Sequence, residues 1–144
     1  MEAIKLYRPV GLKELELIMD SGWEKFPPRL AWQPIFYPVL NQAYAAQIAA
    51  EWNTRDEFSG YCGMVTAFNL LESHYLKFQI QNVGGEIHNE LWIPAEELEE
   101  FNRNIVGNIS IVQAFFGESF TNPESEKLVQ ELLKWRKDGS GEAK

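Results

Sequence analysis

Residues 86–98 read EIHNELWIPAEEL, and the chain is predicted to fold around this stretch. A polar turn after Gly84-Gly85 leads into it, and the carboxylate of Glu90 precedes the apolar run from Leu91 to Ile93. Pro94 ends that run, because proline has no amide hydrogen for a sheet ladder, and a helix is expected to follow. A strand with a charged group at its entrance and an apolar middle can set one carboxylate into a cleft.

The composition indicates one folded domain with a true core. The chain has 144 residues, of which 45% are hydrophobic and 13% aromatic, enough apolar surface for a compact core. The formal net charge of -8 argues against non-specific binding to nucleic acid or to an anionic membrane surface, because both repel an acidic protein. We therefore expect neither a nucleic-acid partner nor a membrane partner.

Cysteine usage and the N-terminus point to a reducing compartment. Cys62 is the single cysteine, so no internal disulfide can form. The first residues lack the layout of a signal peptide, and no apolar run approaches the ~20 residues that a membrane helix needs. A soluble cytoplasmic protein is expected.

Hydrophobic periodicity predicts alternating helices and strands. The predicted strands cover residues 4–8, 35–39, 64–68, 76–81, 90–93 and 109–116, with the third in the centre of the sheet. The predicted helices cover residues 11–20, 41–52 and 96–102, and a last helix starts with a capping pattern at 121–124. We expect an α+β fold, with a mixed or antiparallel sheet flanked by short helices.

The predicted domain covers residues 1–117. Residues 118–138 are expected to form a C-terminal helix that packs either on this domain or on a partner's copy, followed by a flexible tail at 139–144. Residues 22–34 are predicted to be irregular because of Pro27-Pro28 and Pro34, and Trp23, Phe26 and Trp32 are expected to pin this loop down.

Two charged residues are candidates for chemistry. Glu90, if held in a cleft, can accept hydrogen bonds from a ribose and stabilise positive charge on a sugar carbon; the alternative is an exposed glutamate at a strand end. Arg8 ends the first predicted strand, and its fork of donors suits a phosphate or a carboxylate; the alternative is a surface ion pair.

Other residues give weaker signals. Tyr37 and Tyr44 are candidate stacking surfaces among aromatic residues that otherwise form core. His88 lies two residues from Glu90 and so shares a strand face with it. His74 and His88 lack the spacing of metal ligands, so no metal is expected. Cys62 is interpreted as a small buried thiol.

The order of these segments resembles the ADP-ribosyltransferase-like fold. It is also similar, over most of residues 4–117, to a group of small bacterial proteins named for ADP-ribosylation. The residues that carry the likeness are Tyr7-Arg8, Phe26-Pro27-Pro28-Arg29, Tyr37-Pro38-Val39-Leu40-Asn41, Val65-Thr66-Ala67-Phe68 and Trp92-Ile93-Pro94-Ala95-Glu96.

The resemblance implies an NAD-dependent ADP-ribosyltransferase that modifies a protein acceptor. By this likeness, Arg8 takes the role of the first-strand residue that contacts NAD. Glu90 takes the role of the glutamate that holds the nicotinamide ribose and supports departure of nicotinamide. His88 stands two residues before that glutamate, a place that influences the acceptor, and Tyr37 and Tyr44 are expected beside the cofactor.

One motif departs from that family. Tyr37-Pro38-Val39 stands where serine, threonine and serine would be expected, so small hydroxyl groups are replaced by a rigid proline. This departure favours an alternative, a non-catalytic binding module of the same fold that uses residues 22–34 to bind a protein or a small ligand. A third hypothesis is a homo-oligomer formed through the helix at 128–135.

Overall fold

The computed structural model describes residues 2–136. Its strands are β1 (Ala3–Val10), β2 (Ile35–Phe36), β3 (Cys62–Leu71), β4 (Gln81–Asn82), β5 (Asn89–Glu90), β6 (Ile93–Pro94) and β7 (Ile105–Phe116). Its α-helices are α1 (Leu12–Asp20), α2 (Gln42–Glu51), α3 (Glu72–Tyr75), α4 (Leu98–Arg103) and α5 (Glu126–Leu133). The α+β class is confirmed, and within the described residues every strand pair is antiparallel.

The largest sheet has the strand order β1-β3-β7. Strand β3 lies in the centre, as its unbroken apolar sequence predicts, and nearly all of its side chains are buried. The pair β2-β6 forms a separate small sheet, and β4-β5 is a second two-stranded pair.

Val39 joins the pair β4-β5 to the large sheet. It pairs with Tyr7 of β1 on one side and with Glu90 of β5 on the other. The Tyr7–Val39 link has two backbone hydrogen bonds, of 3.0 and 2.8 Å. Through this single residue, Gln81, Glu90, Val39, Tyr7, Ala67 and Ser110 form one row across the molecule.

Strand β1 continues through Pro9, whereas the sequence predicts that it ends at Arg8. The Tyr7 N–H points toward Val39, and position 9 points its backbone nitrogen to the same side. No strand pairs with β1 on that side at Pro9 in the described part of the chain. The missing proline N–H therefore costs no ladder hydrogen bond.

The strand predicted at residues 76–81 is wrong except at Gln81, which begins β4. The chain instead turns through α3, with local hydrogen bonds from the Leu76 N–H to Glu72 O and from the Lys77 N–H to His74 O. Leu76 is 70% exposed, and only Phe78 of the apparent apolar face packs on the core. The alternation of apolar and polar residues at 76–81 therefore does not correspond to a strand with one buried face.

Other boundaries also differ from the predictions: β3 and β7, for example, are longer than the strands predicted at 64–68 and 109–116. The strand predicted at 35–39 is limited to β2, because Pro38 cannot donate to a sheet ladder. Beyond it, Val39 makes only isolated bridges in the described part of the chain. The segment predicted as a strand at 90–93 is divided into β5 and β6. The last helix is capped by Ser125, whose hydroxyl accepts from the Leu128 N–H at 3.4 Å, not by the pattern at 121–124.

Two hydrophobic clusters lie on the two sides of the sheet. One contains the contacting rings of Phe26, Phe36, Phe68 and Phe101 and is covered by α1, α4 and α5. The other is smaller and packs Val39 and Val65 against the alanines of α2. Leu128 and Leu132 of α5 are buried in the first cluster, so this helix docks on its own chain.

The irregular segment 22–34 is held by fewer rings than predicted. Phe26 is fully buried and Trp23 packs against the core, but Trp32 is 71% exposed and so does not pin the loop. The tail predicted at 139–144 lies outside the described residues. Within residues 2–136, no helix is long and apolar enough to cross a membrane.

Candidate functional site

A cleft of about 580 Å³ opens beside β1, where that strand loses its neighbour beyond Val39. Three of the residues singled out in the sequence line it: Arg8, Tyr37 and Glu90. They come from three separate segments of the chain. Small-molecule sites in proteins have volumes of roughly 300–1,000 Å³, so the cleft has the size of a ligand site.

Glu90 is buried, with 8% of its surface exposed, and is not the exposed strand-end residue of the alternative interpretation. Two neutral donors hold its carboxylate. The Tyr44 hydroxyl donates to Oε2 at 2.8 Å, and the Trp92 indole N–H donates to Oε1 at 2.7 Å. Each oxygen keeps further acceptor capacity, since a carboxylate has about four acceptor positions. The carboxylate is thus oriented and can still accept a ligand hydroxyl.

Tyr44 stands behind Glu90 and is not part of the cleft wall. Burial raises the pKa of Tyr44 to about 12, and the hydrogen bond and negative charge of Glu90 contribute to the rise. At neutral pH the hydroxyl is therefore a donor. Asn41 caps α2 by accepting from the Tyr44 N–H at 2.8 Å, which fixes the position of this first helical turn.

His88 also lies behind the cleft wall, where its ring lies 4.7 Å from the Tyr44 ring. Its Nδ1 accepts from the Gly85 N–H at 2.9 Å, so the proton is on Nε2, which lies 2.9 Å from Gln47 Oε1. Both ring nitrogens are satisfied within the protein. His88 therefore ties the loop before β5 to α2 and supports Tyr44.

Arg8 lines the cleft but is already paired. Its Nε and Nη2 donate to the two carboxylate oxygens of Glu14, at 2.7 and 2.9 Å, and its Nη1 donates to Tyr37 O at 3.3 Å. Arg8 is as well buried as Glu90. This bidentate pair with α1 is a partly buried ion pair, not the loose surface pair of the alternative interpretation.

Arg8 and Glu90 reach the cleft from different faces of the sheet. Tyr7, not Arg8, shares the row of Glu90, and paired residues in a sheet share a face. In agreement, Glu90 bonds to Tyr44 of α2, whereas Arg8 bonds to Glu14 of α1. A ligand that contacts both side chains must therefore bind across the free edge of β1.

Aromatic side chains form a second part of the cleft wall. The rings of Tyr37 and Trp92 meet edge to face with centroids 6.3 Å apart, and both are partly exposed. Trp52 and Phe58, also exposed, line the cleft on the side of α2. These rings offer flat apolar surface for a base or another planar group.

Arg29 also lines the cleft, and the sequence interpretation did not select it. Its Nε donates to Ile35 O at 3.1 Å, and its Cζ lies 5.7 Å from the Phe36 ring centroid. Its sequence signals were its position inside the long irregular segment 22–34 and its place in Phe26-Pro27-Pro28-Arg29, one of the stretches that carry the resemblance. Nothing in that segment's pattern predicted that it would fold back toward β1.

A second cleft, of about 680 Å³, lies between α1, α4 and residues 25–28. It is larger than the first, but its charged residues, Asp20, Lys25, Glu96 and Glu99, are all exposed. The first cleft instead contains two buried charged groups held by hydrogen bonds. We consider it the better candidate because a few convergent, oriented polar groups mark ligand sites more specifically than volume does.

Cys62 and His74 lie outside both clefts. Cys62 is fully buried, and burial raises the pKa of its thiol to about 12, which does not suit a nucleophile. Burial lowers the pKa of His74, which packs among Phe78 and Phe101. Within residues 2–136, no group of three or more His, Cys, Asp or Glu side chains could hold a metal ion.

No protein-family model, curated protein or solved structure matches this chain.

Proposed function

We propose that this protein is an ADP-ribosyltransferase-like domain that binds NAD in the cleft beside β1. The single observation that carries the proposal is the buried Glu90 carboxylate, which Tyr44 and Trp92 orient on a cleft wall that Arg8 and Tyr37 also line. An oriented carboxylate in a partly dehydrated cleft stabilises developing positive charge far better than one in water.

In the proposed reaction, the bond between the nicotinamide nitrogen and ribose C1′ breaks. Nicotinamide leaves with the bonding electron pair, and positive charge develops on C1′ and the ring oxygen. Glu90 stabilises that charge and accepts a hydrogen bond from the ribose. A nucleophilic group of the acceptor then forms the new bond to C1′ and releases its proton. The exposed rings of Tyr37 and Trp92 offer stacking surface for a planar part of NAD.

A second candidate is a non-catalytic binding module of the same architecture. The bidentate Arg8–Glu14 pair favours it, because the guanidinium fork of Arg8 is occupied in the free protein. The segment 22–34 also borders both clefts, with Arg29 and Gln33 on the first and Lys25 to Pro28 on the second. Such a module binds its ligand in the same place without breaking a bond.

The decisive experiment measures NAD binding and nicotinamide release separately. Binding is followed by calorimetry and by tryptophan fluorescence, since Trp92 and Trp52 line the cleft. A hundredfold excess of NAD over its Kd would also stabilise the fold by ~2.7 kcal/mol. Release of labelled nicotinamide is then measured with and without candidate protein acceptors.

Three variants decide between the candidates. Glu90→Gln should still bind NAD and release nicotinamide roughly 10²–10³ times more slowly, the typical loss for one transition-state stabiliser. Glu90→Asp keeps the charge but moves the carboxylate back by one methylene group. It replaces Glu90→Gln in the test if that variant does not fold. The matched control is Glu97→Gln, an exposed glutamate outside the cleft.

Binding of NAD without any release, in parent and variants alike, would identify the binding module. No binding at millimolar NAD would overturn the proposed use of NAD.

A further inference from the structure

Two guanidinium groups approach one buried aromatic ring at the cleft. The Cζ atom of Arg8 lies 4.6 Å from the Phe36 ring centroid, and that of Arg29 lies 5.7 Å from it. Phe36 is fully buried, so this arrangement is set by the core and not by surface side chains. The two arginines differ, however, in what else they bind.

Arg8 has its charge neutralised by Glu14, as described above. Arg29 donates only its Nε, to Ile35 O at 3.1 Å. Among residues 2–136, its two terminal amino groups have neither a carboxylate partner nor a hydrogen-bond acceptor, and neither group is buried away from solvent. The backbone thus fixes the stem of this guanidinium while its outer donors stay open to the cleft.

The local charge of the cleft is opposite in sign to that of the protein. The lining includes three cationic side chains, Arg8, Lys13 and Arg29, and two carboxylates, Glu14 and Glu90, a local excess of one positive charge. The whole chain carries -8. Fields inside a cleft are focused by its low-dielectric walls, so this local excess attracts anions even on an acidic protein.

The surroundings of Arg29 disfavour its positive charge on balance. Burial lowers the pKa of Arg29 and the neighbouring charge of Arg8 lowers it further, while Glu14 and Tyr37 oppose this shift only in part. Arginine stays charged in proteins, so both effects raise the free energy of a cation that cannot discharge. An anion bound at its terminal amino groups compensates for both the lost hydration and the repulsion from Arg8.

We propose that Arg29 is the anion-binding residue of the cleft and that it takes the phosphate groups of a nucleoside-diphosphate ligand. The planar fork of its terminal amino groups matches two oxygens of one phosphate. Lys13 adds an exposed positive charge, and among residues 2–136 its one ion pair is a long one with Glu16, at 3.7 Å. The rings of Tyr37 and Trp92 can receive the base, which a simple carboxylate ligand lacks.

Under the function proposed above, the diphosphate is that of NAD, and in this respect the inference rests on it. Glu14 then has a second role, since it competes with the ligand for Arg8 and adds a negative charge to the cleft wall. Removing that carboxylate frees the fork of Arg8 for a phosphate.

The test uses calorimetric titration of the full chain with ADP and with adenosine, at low salt and with a chelator so that no divalent metal takes part. ADP should bind at least tenfold more tightly than adenosine. Arg29→Gln should remove this difference, and Arg29→Lys should remove part of it, because lysine keeps the charge but not the fork. The matched control, Arg103→Gln, changes an exposed arginine outside the cleft and should leave both affinities unchanged.

Glu14→Gln should bind ADP more tightly than the parent and bind adenosine equally. If Arg29→Gln does not fold, the ADP and adenosine affinities of Arg29→Lys provide the test instead. The inference is overturned if ADP binds no better than adenosine, or if a folded Arg29 variant binds ADP as the parent does.

The two proposals fail in different ways. Phosphate-dependent ADP binding without nicotinamide release would overturn only the transferase activity. Nicotinamide release with normal ADP binding by Arg29→Gln would overturn only the role of Arg29.

Discussion

The Tyr44 hydroxyl donates a 2.8 Å hydrogen bond to Oε2 of Glu90, across 46 residues of sequence. Tyr44 lies in the first turn of helix α2 and Glu90 ends strand β5, so this bond joins the two elements that border the cleft on one face of the sheet. His88 supports Tyr44 from behind through ring contact. The carboxylate is consequently positioned by a helix, a strand and a loop together.

Tyr44→Phe should lower the free energy of unfolding by about 1–3 kcal/mol, because it removes one donor from a buried carboxylate and leaves the ring in place. Urea unfolding followed by circular dichroism measures the loss. Tyr75→Phe is the matched control, since the Tyr75 hydroxyl makes no hydrogen bond among the described residues and the ring is also partly buried. Equal stabilities of the two variants would show that the Glu90 contact contributes nothing to folding.

His74→Phe should reduce the loss of stability on mild acidification. The pKa of buried His74 is lowered below its usual 6.5, so the unfolded chain binds a proton more readily than the folded one. The stability due to neutral His74 is therefore present above pH 6.5 and is lost as the pH falls through the lowered value. A phenylalanine suits the ring cluster with Phe78 and Phe101.

The measurement for His74 is the difference in unfolding free energy between parent and His74→Phe from pH 7.5 to pH 5. Titrating carboxylates contribute to both proteins and cancel in the difference. A difference that does not change with pH would contradict this role of His74.

Cys62 should make the protein less stable between about pH 9 and pH 12. Burial raises the pKa of the folded thiol from 9.0 to about 12, so in this window the unfolded chain binds fewer protons and stability falls as the pH rises. The slope is at most about 1.4 kcal/mol per pH unit. Cys62→Ala introduces a constant offset and removes only the Cys62 share of the slope. Tyr44, whose pKa is also raised to about 12, contributes to both proteins, so the difference between parent and variant in urea titrations at several alkaline pH values isolates the Cys62 share.

The same burial should protect the Cys62 thiol from modification. A chromogenic disulfide reagent at pH 8 should react with Cys62 only after denaturant unfolds the protein, since the native thiol is both inaccessible and protonated. Rapid reaction of the native protein would contradict the packing of β3.

Gly63→Ala should destabilise the contact between β3 and α2. A Cβ atom at Gly63 would lie 2.7 Å from the Cβ of Asn53 and 2.9 Å from both Cα and Cβ of Ala49. Because a helix and a strand must separate to admit it, we expect a loss of about 1–3 kcal/mol. The double variant with Ala49→Gly removes one of the close atoms.

A double-mutant cycle over Gly63 and Ala49 tests this steric cause. The double variant should lose less stability than the sum of the two single variants, with a coupling of at least about 0.5 kcal/mol. If the losses of stability in the two single variants simply add in the double variant, the residues at positions 63 and 49 do not clash sterically.

Local sequence patterns predicted the α+β class, helices α1 and α2, and the buried central strand β3. Each of these has a local cause: apolar residues at helical spacing, the capping side chain of Asn41, or an unbroken apolar run. The selection of Glu90, Arg8 and Tyr37 also came from sequence, and all three line one cleft. Local patterns failed at residues 76–81, where alternation exists without a buried face.

What those side chains bind depends on the tertiary structure. The pairing of Arg8 with Glu14, six residues apart, depends on how helix α1 lies against β1. The position of Tyr44 behind Glu90 depends on contact between segments distant in sequence, and the open donors of Arg29 depend on the path of an irregular loop. Such contacts are fixed by the burial of Phe36 and by the two bridges that Val39 makes, to Tyr7 and to Glu90. No periodicity encodes them, because they arise where the packed faces of different elements meet.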